Sequence, residues 1–231
     1  MALFYSRRAV YRGRYNPHMP LPPDEPRNPD AVAAWVRGHT HDRFAGVYAA
    51  SESHRVEHGD DCTVYPSSNG PLLAVLAAAS GAQRILEVGG GLGYSALHLA
   101  DGASPGGVVY SIERDELHVG LALEQIEAHG LRGRITMHPR SAGEILPELS
   151  GPFDLIFNDA ELDEYELMLD HFIRLLRPGG LLITSNLFLG QYTEDLPGIE
   201  QAIAYRRRIV EDARLRTAFL RSGLALSVRQ P

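Results

Sequence analysis

From residue 67 onward the apolar positions fall into two alternating kinds of segment, and the alternation predicts the fold. Short apolar runs at 85–88, 108–113, 134–138, 153–158 and 181–185 read as strands. Segments 68–79, 94–101, 116–129, 141–149, 163–176 and 197–212 read as helices between them, the third ending at Gly130 as a C-terminal cap. Arg177-Pro178-Gly179-Gly180 reads as a turn that launches strand 181–185. Strands alternating with helices imply a parallel sheet covered on both faces. A closing pair, 214–220 and 224–229 joined at Ser222-Gly223, adds one antiparallel strand at the end. The fold class is therefore α/β, and the chain has no internal repeats.

The first 62 residues break this rhythm. In the arm 1–30, Phe4, Tyr5, Tyr11 and Tyr15 alternate with Arg7, Arg8, Arg12 and Arg14, and six prolines follow between Pro17 and Pro29. The arm reads as extended, packing over its own domain or a partner subunit. Asn28-Pro29-Asp30 marks a helix start, and 31–57 reads as one or two helices carrying His39, His41 and His54, with His58 just beyond. His54-Arg55-Val56-Glu57-His58 formally matches H-x-x-E-H, a zinc-peptidase pattern. It lies in a polar stretch with no third ligand in context, so its histidines read as solvated. The predicted organisation is an arm with helices over 1–62, covering a substrate or forming a dimer, and a ligand-binding domain over 63–231.

The chemistry concentrates at 85–95, Ile-Leu-Glu-Val-Gly-Gly-Gly-Leu-Gly-Tyr-Ser. A strand runs into a glycine turn at Gly89, Gly91 and Gly93, and a helix opens at Tyr94-Ser95. Such a helix offers free N–H groups and the positive end of its dipole to an anion. Gly91-Leu92-Gly93-Tyr94-Ser95-Ala96 fits the dinucleotide pattern G-x-G-x-x-A. Glu87 followed by Gly89, Gly91 and Gly93 fits the E/D-x-G-x-G-x-G loop of S-adenosylmethionine-dependent methyltransferases. Glu113 ends the next strand 20 residues after Gly93 and suits ribose hydroxyls in either case. Glu87 separates the two: a carboxylate beside the turn repels a pyrophosphate and tolerates a cationic sulfonium.

Composition narrows the classes. With 231 residues, 44% hydrophobic, the chain is long enough for one well-buried α/β domain. A net charge of −7 disfavours nucleic acid as a partner. A single cysteine, Cys62, excludes an internal disulfide and fits a reducing, cytoplasmic compartment. No apolar run approaches the roughly 18 residues of a membrane span. Arg7 and Arg8 interrupt any signal-peptide pattern, although the acid-free stretch up to Arg14 is compatible with a transit peptide.

Taken with Gly-Pro-Phe-Asp-Leu-Ile-Phe-Asn-Asp-Ala (151–160) and Leu-Leu-Arg-Pro-Gly-Gly-Leu-Leu-Ile (175–183), the glycine turn and Glu113 resemble the class I S-adenosylmethionine-dependent methyltransferases. Gly93-Tyr94-Ser95-Ala96, Asp159-Ala160-Glu161 and Tyr165 narrow the resemblance to the group containing catechol and caffeoyl-CoA O-methyltransferases, over roughly 63–231. It implies a Rossmann-like, doubly wound, mostly parallel sheet and a homodimer. It also implies that Glu87, Gly89, Gly91, Gly93 and Tyr94 shape the cofactor turn, and that Ser95 holds the methionine carboxylate. By the same resemblance Glu113 takes the ribose hydroxyls, Ser141 and Ala142 flank the adenine, and Asp159 stands near the transferring methyl.

The chain departs from that group where chemistry is expected. The group's divalent metal, usually Mg²⁺, binds between an aspartate at the Asp159 position and an Asp-Asn pair, which here reads Ser185-Asn186. The lysine that assists deprotonation is replaced by Leu162. Serine is a weak ligand for a hard cation, and leucine cannot act as a base. The expectation is a methyltransferase acting on oxygen of a small molecule without the usual metal; a residual site would use Asp159 and Asn186. Asp159, His171 and the N-terminal histidines are the candidate bases. The alternative is a non-catalytic S-adenosylmethionine-binding or interaction protein; an NAD-dependent oxidoreductase is disfavoured by Glu87.

Overall fold

In a computed structural model, the residues described are 26, 28–59, 62–66, 68–188 and 198–231. The arm prediction for 1–30 lies almost wholly outside them. The chain divides into a unit Met1–His41 and a larger unit Asp42–Pro231. In the first, α1 (Pro29–His39) begins at Asn28, whose side chain accepts from the Ala31 N–H at 2.8 Å, the predicted cap.

The larger unit contains α2 (Ala45–His58), α3 (Gly70–Ala79), β1 (Arg84–Val88), α4 (Tyr94–Gly102), β2 (Val108–Ile112), α5 (Glu116–Ala128) and β3 (Ile135–His138). There follow α6 (Ala142–Ile145), β4 (Phe153–Asn158), a 3₁₀ turn (Leu162–Glu164), α7 (Tyr165–Leu175), β5 (Leu176–Thr184), α8 (Ile199–Glu211), β6 (Leu215–Phe219) and β7 (Ala225–Arg229). The sheet order is β3-β2-β1-β4-β5-β7-β6, parallel except for β7, which runs antiparallel to both neighbours. This is the predicted doubly wound α/β sheet. Among the described residues no helix is long and apolar enough to cross a membrane.

Alternation along the strands sorts the core into two layers. Leu86, Ile156 and Leu182 face α7 and α8, while Ile85, Leu155 and Ile183 face α3 and α4. Phe44 and Val47, from the start of the larger unit and from α2, are buried in the second layer. Tyr94 donates to Asp42 at 2.7 Å and His98 lies 3.0 Å from the same carboxylate, tying α4 to the start of this unit.

Two local predictions change. Residues 177–180 continue β5 rather than forming a separate turn: the pairing with β4 slips between Phe153 and Leu155, and Gly179 takes φ +74° inside the strand. Such an irregularity bends a strand without ending it. Asp154 anchors this corner, accepting from the N–H groups of Gln83 and Arg84 and from Arg177. The predicted helix 141–149 shortens to Ala142–Ile145, because Pro147 has no N–H to continue the ladder.

The strand order reverses between β1 and β4, the place where open α/β sheets bind ligands. Register aligns the strand ends there. Val88 pairs with Ile112 and with Asn158, and Asn158 pairs with Thr184. The next residue of each strand, Gly89, Glu113, Asp159 and Ser185, therefore arrives at one level above the sheet.

Candidate active site

Above those strand ends lies a cavity of about 460 Å³, within the range of small-ligand sites. Of the residues singled out in the sequence, Gly89, Gly91, Tyr94, Ser95, Glu113, Ala142, Asp159 and Asn186 line it. Glu87, Gly93 and Ser141 do not belong to that lining. Gly93 caps α4 from below and packs against Ala122. Ser141 caps α6, its hydroxyl and N–H both bonded to Glu144.

The turn is built from backbone. Gly89 and Gly90 donate to the carbonyl of Ile112 at 3.0 and 3.1 Å. At Gly89 φ is +88°, and a Cβ there would stand 2.4 Å from the carbonyl oxygen of Asp159. Only glycine lets the two strand ends approach this closely. Gly91 is open instead: a Cβ would meet nothing nearer than 3.7 Å.

Glu87, expected among the cofactor-binding residues, lies next to the turn but outside the cavity lining. It is fully buried under the turn, in register with Ser111, whose hydroxyl donates to it at 2.5 Å. Side chains of a strand alternate between faces, and this position points toward the α4 layer. Burial pushes its carboxyl up to about 7, against the opposing hydrogen bonds of Ser111 and Ser95. Glu113 is a carboxylate at the cavity wall. Its Oε2 accepts from the Gly91 N–H at 2.8 Å and its Oε1 from the Asp115 N–H at 2.9 Å. Each oxygen keeps a further lone pair for a ligand hydroxyl.

The other end of the cavity is built from side chains. Asp159 is partly exposed as a residue, with its carboxyl group turned inward; burial raises its pKa to about 6, and the Ser185 hydroxyl holds it back. Asn186, the non-glycine residue with φ +58°, donates to Asp159 Oδ1 at 2.6 Å. Tyr165 is buried beneath them and donates to the Ser185 carbonyl at 3.2 Å. The groups bonded to Asp159 are thus donors, while the buried Glu87 carboxyl lies near enough to feel its charge. Glu161, the nearest addition to a ligand set, is turned to Arg114 in an ion pair. One carboxylate, one hydroxyl and one amide offer a hard divalent cation less negative charge than the carboxylate sets it prefers. His171 is half-buried on α7 and does not line the cavity. The Tyr94 hydroxyl is committed to Asp42, which with burial raises its pKa, so it offers no base.

Sequence reasoning missed part of the wall: Val64, Tyr65 and Pro66 from the loop after α2, and Arg114 and Arg140 just past β2 and β3. The arginines were findable, because every loop after a parallel strand opens on this side of the sheet. The solvated reading of His54 also changes. It is buried, and burial lowers its pKa, whereas His58 is exposed and stacks on it.

Comparison with known proteins agrees with this geometry. A family described as O-methyltransferase matches residues 54–230. The chain is 32% identical over 145 residues to a catechol O-methyltransferase of Niastella koreensis, covering 61% of this chain and 66% of that one. It is 34% identical over 125 residues to a catechol O-methyltransferase of Mycobacterium tuberculosis, covering 54% and 57%. The chain thus spans less than two thirds of the length of either relative. Cofactor-bound Rv0187 from MTB has 28% identity and a TM-score of 0.75, over 89% of this chain and 99% of that chain. An O-methyltransferase from Bacillus cereus in complex with SAH shares the fold at 24% identity and a TM-score of 0.75, over 87% and 97%. Matched over most of its length, the chain belongs to the O-methyltransferase family and has the class I methyltransferase fold.

Proposed function

We propose that this protein transfers the methyl group of S-adenosylmethionine to an oxygen of a small acceptor, with Asp159 as the base and without a divalent metal. The observation that carries the reading is the Asp159 carboxyl, drawn inward at the cavity wall among the donors Asn186 and Ser185. Bound S-adenosylmethionine supplies an electrophilic methyl on a cationic sulfur. The first N–H groups of α4, that of Ser95 among them, suit its carboxylate, since they carry positive potential into the cavity, while the Ser95 hydroxyl is given to Glu87. Glu113 suits the ribose hydroxyls, and Ala142 lines the adenine end. Ser141 serves that end indirectly, by capping α6.

At the acceptor end Asp159 takes the hydroxyl proton as the acceptor oxygen bonds the methyl carbon and the carbon–sulfur bond breaks. A carboxyl with a pKa of about 6 is ionised at neutral pH yet more basic than a solvated aspartate. Leu162, three residues after Asp159, adds an apolar lining residue, which suits a phenolic acceptor. This reading includes a homodimer in the cytoplasm, with residues 1–62 as acceptor cover or subunit contact and no nucleic-acid partner.

The test is calorimetric titration with S-adenosylmethionine and with NAD, followed by methyl transfer to a panel of phenols and amines with and without EDTA. Turnover of a phenol that EDTA leaves unchanged is the expected result. Turnover abolished by EDTA overturns the metal-free part. Tight cofactor binding with no turnover on any acceptor favours a non-catalytic binder.

A further inference from the structure

Behind the ribose side of the cavity, three metal-ligating side chains from separate elements meet. His54 comes from α2, Cys62 from the loop after it, and His118 from the first turn of α5. One donor atom from each lies within 4.8 Å of the others. All three are buried, at 9%, 3% and 4% exposure. The two rings meet edge to face with centroids 5.2 Å apart. The Nδ1 of His118 is buried with no hydrogen-bond partner among the described residues. Glu113 Oε1 and Asp115 Oδ2 each stand 3.9 Å from it, too far to bond.

We propose that His54, Cys62 and His118 form a binding site for a borderline-soft divalent cation of the zinc class, with the fourth position open to water. A thiolate and two imidazoles suit zinc and disfavour magnesium, which prefers oxygen. Zinc–sulfur and zinc–nitrogen bonds of about 2.3 and 2.0 Å set tetrahedral donors roughly 3.3–3.6 Å apart, so the cluster needs to contract by about 1 Å. With the ion on Nε2 of His118, Nδ1 would face Glu113 and Asp115, the side on which an outer-shell carboxylate orients a metal-bound histidine once it closes to bonding distance.

This is not the peptidase arrangement that H-x-x-E-H suggests. Glu57 and His58 are exposed, and His58 Nδ1 is bonded to the His54 carbonyl at 2.9 Å. Nor is it the place of the family's magnesium, since Asp159 and Asn186 take no part. Its consequence is mechanical. Cys62, Val64, Tyr65 and Pro66 line the cofactor cavity, so an ion here ties that loop to α2 and α5.

The test uses the full chain, stripped with a chelator and titrated with cobalt(II) and then zinc. One equivalent of cobalt should give tetrahedral visible bands and a near-ultraviolet thiolate-to-cobalt charge-transfer band, both removed by zinc. Cys62→Ser should abolish the charge-transfer band, and His118→Gln should weaken zinc binding by about tenfold or more. Circular dichroism checks that both variants fold. If either fails to fold, alkylation replaces it, because the chain has one cysteine. Zinc should slow native-state alkylation of Cys62 by about tenfold or more, since the thiolate is then occupied. A saturated wild type with no charge-transfer band, a band that survives Cys62→Ser, or alkylation indifferent to zinc overturns the proposal.

Discussion

The two ends of the cavity are built by different means. At the cofactor end the work is done by main chain: register brings Gly89 beside Asp159, two glycine N–H groups share the Ile112 carbonyl, and Gly91 donates to Glu113. At the Asp159 end it is done by side chains, with Asn186 and Ser185 around Asp159, and Leu162 in the lining. A backbone-built end tolerates few substitutions but dictates only that something with a carboxylate and a ribose binds. A side-chain-built end can be rewritten one residue at a time. The family relation therefore carries more weight for the cofactor than for the acceptor.

The sharpest way to break the comparison is Gly89→Val. The added Cβ meets the Asp159 carbonyl oxygen at 2.4 Å, backbone against backbone, at φ +88°. Neither side can yield without moving a strand end. The expected cost is roughly 2–4 kcal/mol of stability, read by thermal unfolding, with loss of detectable cofactor binding. Gly91→Ala is the control in the same turn. It has room to 3.7 Å and carries only the left-handed strain at φ +48°, roughly 1–2 kcal/mol. Equal losses from both would show that the turn depends on flexibility rather than on close approach.

Next in size is Asp159→Asn, which removes the proposed base and leaves the backbone alone. The expected fall in kcat is about 10²–10⁴-fold, with the cofactor dissociation constant little changed. The wild type carries a matching pH signature. The carboxylate form is the active one, so activity holds above a pKa of about 6 and is lost as pH falls through it. A variant of unchanged kcat, or a profile flat to pH 5, would remove Asp159 from the chemistry.

The sequence revealed the two ends unequally, and for the same reason. Strand-and-helix alternation, the glycine turn and Glu113 are local patterns, and local patterns were enough for the sheet and the cofactor turn. Glu87 shows the limit. Its place in the chain is beside the turn, but strand alternation puts its side chain under the sheet's α4 layer, bonded to Ser111. The continuation of β5 through Arg177-Pro178-Gly179-Gly180 was hidden too, because a bulge against β4 depends on the partner strand. The meeting of His54, Cys62 and His118 spans three elements, and nothing in their spacing announces it.

A smaller effect is expected from Glu113→Gln. The carboxylate accepts from both Gly91 and Asp115, and its charge strengthens those bonds and any made to a ribose. The amide keeps one acceptor oxygen and loses the charge. Loss of about 1.5–3 kcal/mol corresponds to roughly 10–100-fold weaker cofactor binding, measured by calorimetry. Since chemistry occurs at the other end, kcat at saturating cofactor should change little. A fall in kcat equal to the fall in affinity would mean that the two ends are coupled.

The mildest change tests whether the acceptor end can be rewritten backwards. Ser185→Asp restores a second carboxylate beside Asp159. Two carboxylates at one buried site cannot both ionise cheaply, so without a cation one of them stays protonated and the base is compromised at neutral pH. A hard divalent cation relieves that repulsion and gains the oxygen ligands it prefers. The variant should therefore lose up to roughly tenfold in activity in EDTA and recover with magnesium, while the wild type ignores both. If magnesium does nothing for the variant, a second carboxylate at this position is not enough to build a metal site. Leu162, where the resemblance drawn from the sequence expects a lysine, becomes the residue to change next.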